Sequence, residues 1–428
     1  MTLSNITSSA ASTLFFTLFA TLALLALATQ CWLSLRQIRS VRAHRDKVPD
    51  DFANHVSLSN HQRAADYTVA QQHYSLLENI WSTALLFGWT IFGGLNLLNQ
   101  WLLPIAGNGL LYSVALVLIF FLINGILGLP WSLWSTFKLE HSFGFNNMTI
   151  GLWAKDLIQS TLIGLIIGTP ILALILWLMS AAGSLWWLWA WGAFTAFQML
   201  LMVIYPIFIA PLFNKFKPLD DETLLQRVTR LMQRCGFQAK GFYVMDGSKR
   251  SAHSNAYFTG IGKSKRVVFY DTLLSKLNSD QMEAVLAHEL GHFHHKHIKR
   301  RLIIVTVLSL LAFAALGWLS VQPWFYSALG VQINTHAPNG ALALLLFMLA
   351  GPVFMFFISP ISTRSSRKDE FQADAYACEQ TNGADLKAAL LRLFEDNAST
   401  LTPDPIYAQF YYSHPPASER LARLHTTT

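Results

Sequence analysis

The sequence predicts an α-helical, multi-pass membrane protein of seven spanning helices that carries a smaller polar α+β domain. Three observations point there. Of 428 residues, 53% are hydrophobic and only 13% charged, against roughly a quarter charged in a soluble domain. Seven apolar segments have about the 20 residues that a spanning helix needs. All 31 Lys and Arg residues lie in four of the segments that separate those spans.

The spans are predicted near 12–34, 80–98, 109–128, 156–180, 184–208, 302–321 and 341–361. The first has no basic residues ahead of its apolar run, so it reads as a retained span and not as a cleavable leader. Pro170 and Pro352 fall inside the fourth and seventh, where kinks are expected. The basic residues number six in 36–79, two in 129–155, sixteen in 212–301 and seven from 363 onward. Under the positive-inside rule the N-terminus is then outside and every large polar segment cytoplasmic. The net charge of +7 is thereby a topology signal, and nucleic acid is not expected as a partner. No Asp, Glu, Lys or Arg occurs within 82–137, 157–214 or 302–363, which argues against an ion-coupled transporter. Cys31, Cys235 and Cys378 are too scattered for a disulfide framework or a thiolate metal site.

The chain divides into 1–211 (spans one to five), 212–301 (first polar segment), 302–362 (spans six and seven) and 363–428 (second polar segment). In 212–301 an amphipathic helix is expected near 220–235, where Leu224, Leu225, Val228, Leu231 and Met232 recur at helical spacing. Strands follow at Gly241–Met245, Asn255–Thr259 and Arg266–Tyr270, separated by Gly, Ser and Asp. A helix over 279–297 begins after an Asn278-Ser279-Asp280 cap.

That helix carries His288-Glu289-Leu290-Gly291-His292. Residues four apart share a helix face, so His288 and His292 can reach one Zn²⁺ ion. Glu289, beside the first ligand, can accept a proton from water activated by the metal and pass it to a leaving amine. Gly291 suits close approach of another element. A catalytic zinc needs a third protein ligand and an open position. His294, His295 and His297 lie nearby but read better as a polar edge before the sixth span. The Glu370/Asp374 pair, four residues apart beyond the seventh span, is the stronger source: one carboxylate would ligate while the other holds a ligating histidine.

Together, His288-Glu289-x-x-His292, Glu370-x-x-x-Asp374, Ser254-Asn255-Ala256-Tyr257 and Ser413-His414-Pro415-Pro416 resemble the type I CAAX prenyl endopeptidases, which are integral-membrane zinc proteases. The resemblance covers nearly the whole chain. It implies that His288, His292 and Glu370 bind one zinc, that Glu289 is the base, and that Asp374 supports a ligating histidine. It also implies a zincin-like cytoplasmic domain over a chamber enclosed by seven helices. Asn255 and Ala256 would form the edge strand that receives a peptide by β-augmentation. His414 would donate to the developing oxyanion, and Arg420 would hold that element or contact substrate. Without the resemblance, Asn255 reads as a turn residue and His414 as a loop. Prenylated peptides or proteins and membrane lipid are the partners it implies.

Two other readings stay open at this stage. A quality-control zinc protease of the HtpX type shares the metal motif but resembles a shorter chain with fewer spans. A non-catalytic zinc scaffold lacks support, since every residue the mechanism requires is present. The ending His425-Thr426-Thr427-Thr428 is not an ER-type address, which leaves a bacterial inner membrane or the ER membrane as the location.

Overall fold

The computed structural model describes residues 3–237, 241–259 and 266–424; the C-terminal His425-Thr426-Thr427-Thr428 lies outside them. Helix α1 (Leu3–Ala43) has 41 residues, about 60 Å at 1.5 Å per residue and twice a bilayer core. Its far end therefore leaves the hydrocarbon, and Arg36 there grips Asp404 with both arms at 2.8 and 3.2 Å. The chain continues through α2 (Leu58–Trp89), α3 (Gly94–Ala106) and α4 (Leu110–Leu133), the last running on into a π-helical stretch, Trp134–Glu140. Next come α5 (Ile150–Ala181), α6 (Trp186–Ile204) and, after another π-helical turn, the short α7 (Ala210–Phe213).

Among the described residues, five helical segments are long and apolar enough to cross a membrane, and two bent helix pairs bring the number to seven if each counts as one span. One correction concerns the predicted span 80–98. It is not one helix: α2 stops at Trp89 and α3 restarts at Gly94, at 49° to it. Gly93 takes a left-handed φ of +77°, and the backbone of Gly330 packs so tightly here that a Cβ on it would lie 2.3 Å from the Thr90 carbonyl oxygen. The two prolines expected to kink spans lie inside continuous helices, α5 and α13 (Gly340–Phe356). The bend of 63° comes later, between α13 and α14 (Ser359–Gln380). Pro360 explains the placement. It sits in the first turn of α14, where its missing N–H and its ring are tolerated, whereas a continuous helix through it would lose a hydrogen bond and clash with the preceding turn.

The polar domain is built around strands β1 (Phe216–Pro218), β2 (Gly241–Met245), β3 (Ala256–Thr259) and β4 (Arg266–Tyr270), in the order β1-β2-β4-β3. Strands β2 and β4 run parallel with Tyr243 opposite Val268, while β3 is antiparallel to β4 with Tyr257 opposite Val268. Strand β1 was not expected from the sequence. The polar domain's helices are α8 (Glu222–Arg234), α9 (Asp271–Leu274), α10 (Ser279–His294), α14, α15 (Gly383–Asp396), α16 (Pro405–Tyr411) and α17 (Ala417–Leu424), while α11 (His297–Leu319) and α12 (Pro323–Ala328) belong to the membrane half. Helix α10 starts with a capping box, Asn278 and Gln281 each accepting from the other's backbone N–H. It ends at His294, three residues short of the predicted 297, because Lys296 adopts a left-handed conformation (φ 58°, ψ 28°) and His297 opens α11.

Two large apolar cores result, with a third, small cluster around Tyr67 and Phe145. One lies among the spans and includes Phe19, Tyr112, Leu116 and Leu345; the other lies under the sheet and includes Val228, Leu231, Phe269, Leu286 and Leu290. Within the membrane half an apolar cavity of about 920 Å³ opens among α4, α5, α6, α11 and α13, lined by residues such as Leu122, Ile126, Leu165, Phe194, Phe313 and Phe347.

Candidate active site

The site forms where α10 crosses α14. Their backbones meet at Gly291, where a Cβ would stand 2.8 Å from the Ala373 Cα and 3.1 Å from its carbonyl oxygen. This is the close approach the sequence called for. It sets His288 and His292, one turn apart on α10, against Glu370 and Asp374, one turn apart on α14. His288, Glu370 and Asp374 are buried.

Both histidines present Nε2 to the same carboxylate. His288 Nε2 lies 3.5 Å from Glu370 Oε2 and His292 Nε2 lies 3.4 Å from Glu370 Oε1. Their Nδ1 atoms are engaged on the other side. His288 Nδ1 sits 2.8 Å from Asp374 Oδ1, and His292 Nδ1 sits 3.0 Å from His297 Nδ1. One ligand atom from each of His288, His292 and Glu370 falls within 4.8 Å of the others. A tetrahedral ion with ligand bonds of about 2.0–2.1 Å would space its ligands about 3.3–3.4 Å apart, close to the separations seen. Glu370 Oε2 is also buried without a hydrogen-bond partner; His288 Nε2 at 3.5 Å and Arg420 Nη1 at 3.9 Å face it only at ion-pair distance, which leaves room for a bound cation to satisfy it. Two imidazole nitrogens, one carboxylate and an open fourth direction make a donor set for a divalent transition metal.

The electrostatics are those of a compact charge cluster. Burial works against the His288 cation, but the hydrogen bond to Asp374 and the nearby Glu370 carboxylate outweigh it and lift the imidazole to about 9. Burial likewise opposes the Glu370 carboxylate, yet His288 and His292 hold its carboxyl far below the usual range. The Asp374 carboxylate, also opposed by burial, is held low by His288 and Arg420.

Glu289 follows His288 on α10 and lines a cavity of about 140 Å³ together with Asn255, Ala256, Glu370, His414 and Arg420. Asn255 leads into β3, the terminal strand of the sheet among the described residues. Its carbonyl accepts from the Tyr270 N–H on the β4 side at 3.0 Å, and its own Oδ1 accepts from the Ala256 N–H at 2.8 Å. His414 is largely exposed, with Nε2 3.5 Å from Glu370 Oε1. Arg420 is buried; its Nε and Nη2 donate to Asp374 at 2.9 and 2.5 Å. All nine residues singled out in the sequence therefore meet at one place.

His297 departs from the sequence expectation. It is no polar edge: only 3% of it is exposed, and it touches His292. Its neighbour His294 instead stacks on Tyr376 at 4.6 Å. Arg367 was overlooked too; its Nη1 donates to the Ala408, Gln409 and Tyr412 carbonyls and steadies the segment leading to His414.

A metal-type donor set beside a glutamate and the terminal strand of the described sheet, mounted on membrane helices, defines a membrane-bound metalloendopeptidase. Comparison with known proteins gives the particular lineage. Residues 37–215 match the CAAX prenyl protease N-terminal family, described as five membrane helices, and residues 218–428 match peptidase family M48. The chain is 32% identical to the CAAX prenyl protease 1 homolog of Arabidopsis thaliana, over 92% of this chain and 93% of that one. It is also 32% identical to CAAX prenyl protease 1 of Saccharomyces cerevisiae, over 92% of both. The crystal structure of S. mikatae Ste24p superposes with a TM-score of 0.89 at 30% identity, covering 96% of this chain and 98% of that one. The chain belongs to the CAAX prenyl protease 1 family of M48 metallopeptidases, as its motifs suggested.

Proposed function

We propose that this protein is a zinc-dependent endopeptidase that cleaves near the C-terminus of prenylated CAAX-type proteins or peptides, with its polar domain in the cytoplasm. The observation that carries the reading is the convergence of His288, His292 and Glu370 within 4.8 Å, beside Glu289 and the free side of β3. Zinc held by those three residues would supply Lewis acidity, activating water for attack and polarising the scissile carbonyl.

The chain's own residues supply the rest. Glu289 accepts the attacking water's proton and delivers it to the departing amine. A peptide lies along Asn255 and Ala256 as an added strand, which fixes the scissile amide through backbone hydrogen bonds. An N–H of His414, on the opposite side of the site, donates to the oxyanion. Asp374 orients His288 and is itself fixed by Arg420, which ties α17 and the His414 segment to the metal centre. The apolar cavity among the spans offers an environment suited to an isoprenoid tail. The confinement of Lys and Arg to one set of loops supports the cytoplasmic placement, in a bacterial inner membrane or the ER membrane.

The test is a paired cleavage assay of the purified protein on one peptide with and without a farnesyl group, each with and without chelator. Chelator should abolish cleavage of both and restored zinc should return it; the farnesylated peptide should be cleaved faster. Equal rates on the two peptides would replace the prenyl-directed reading with a quality-control protease. Activity that survives chelation would sink the zinc mechanism.

A further inference from the structure

His288 is backed by an anion: Asp374, itself clamped by Arg420. His292 is backed differently, and the difference determines where its hydrogen sits. Its Nδ1 lies 3.0 Å from His297 Nδ1, and His297 Nε2 lies 2.8 Å from Gln372 Oε1. We propose that His297 is a positioning residue which, with Gln372, sets the tautomer of His292 and keeps its Nε2 bare toward zinc. This deepens the zinc reading given above and rests on it.

A neutral imidazole carries one N–H and one bare nitrogen. The Gln372 oxygen can only accept, so a neutral His297 carries its hydrogen on Nε2 and leaves Nδ1 bare. His297 Nδ1 must then accept from a hydrogen on His292 Nδ1. That leaves His292 Nε2 without a hydrogen, and this is the nitrogen 3.4 Å from Glu370 Oε1. Turning the Gln372 amide over would run the relay backwards and place a hydrogen on His292 Nε2, where it would block ligation. Two cationic rings would force two hydrogens into a 3.0 Å gap. The competing carboxylate, Asp369, lies 3.7 Å from His297 Nε2 and is taken up by Arg300.

The backbone is bent to make this contact. On an unbroken helix, residues five apart project about 140° away from each other, so His297 would point away from His292. Lys296 prevents that by taking φ 58° and ψ 28°, a conformation in which side chains other than Gly are strained and which recurs at functional sites. The reversal ends α10, and the first residue of α11 swings its ring back onto His292.

The test uses full-length protein in detergent, stripped of metal, with zinc affinity read by competition against a chromogenic chelator. His297→Phe keeps the ring's bulk without its nitrogens and should weaken zinc ~10–100-fold. His297→Asn places an amide oxygen near the lost Nδ1 and should stay within about threefold of wild type. Gln372→Met, at an exposed position, removes the terminal acceptor with little risk to folding and should weaken zinc by roughly 3–10-fold. Wild-type affinity in the Phe variant, or equal losses in the Phe and Asn variants, would overturn the relay. A wild type that takes up no stoichiometric zinc would instead overturn the zinc reading itself.

Discussion

The two halves of the molecule bury opposite kinds of residue. Among the spans, the core consists of Phe19, Tyr112, Leu116, Phe325, Leu345 and similar side chains, with a neutral Asn99–Tyr112–Asn334 group as polar content. Where α10 crosses α14, the buried residues include His288, His297, Asp369, Glu370, Asp374 and Arg420. Burying charge is unfavourable unless each charge keeps its partner. The catalytic half is thus a mutually dependent set, in which losing one member exposes the rest to that cost. The membrane half is a sum of many small, exchangeable contacts.

That contrast can be broken or sharpened, from the largest expected effect to the smallest. Glu289→Gln should lower kcat by ~10²–10⁴ while leaving zinc content and melting unchanged, because the role proposed for Glu289 is toward substrate and not in holding the cluster together. Near wild-type turnover would mean another group is the base. Arg420→Ala removes one of the two cations that face buried Asp374, leaving His288 opposite it, and should cost about 3 kcal/mol, measured by thermal unfolding of the metal-free form. Gly291→Ala forces a Cβ against the α14 backbone and should cost about 1–3 kcal/mol, with zinc occupancy falling as the two helices part. Smallest of all, Leu165→Ala in the membrane cavity should change stability by less than about 0.5 kcal/mol, since Leu165 is 42% exposed. It should nonetheless raise KM for a farnesylated peptide and not for its unlipidated twin. If Leu165→Ala destabilises as much as Arg420→Ala, the contrast between the halves is wrong.

Much of the catalytic half was legible because its signals are local. Strands β2 and β4 appear with the bounds expected, and the histidine pair needs only helical periodicity. The Glu370/Asp374 spacing reported a shared face, and Gly291 reported a close neighbour. What escaped depends on contacts between distant segments. Strand β1 has only three residues, Phe-Lys-Pro, too few to show alternation; it exists because β2 pairs with it. His297 hid behind Lys296, since no residue type there announces a left-handed turn as Gly would. The break in the second span did leave a trace, the Gly93-Gly94 pair. Hydropathy averages across such a pair and so overlooked it.

The route of the chain to Glu370, the proposed third metal ligand, has a consequence for synthesis. Residues up to His297 emerge before α11 and α13 have been made, and Glu370 follows only after both. A half-made chain carries two histidines and a base with no carboxylate to close the site. Both spans must enter the bilayer and return the chain to the same face before the carboxylate can arrive. On the proposed reading, membrane insertion is built into the switching-on of the protease, and a chain stalled or misinserted at either span would be unable to cut its neighbours.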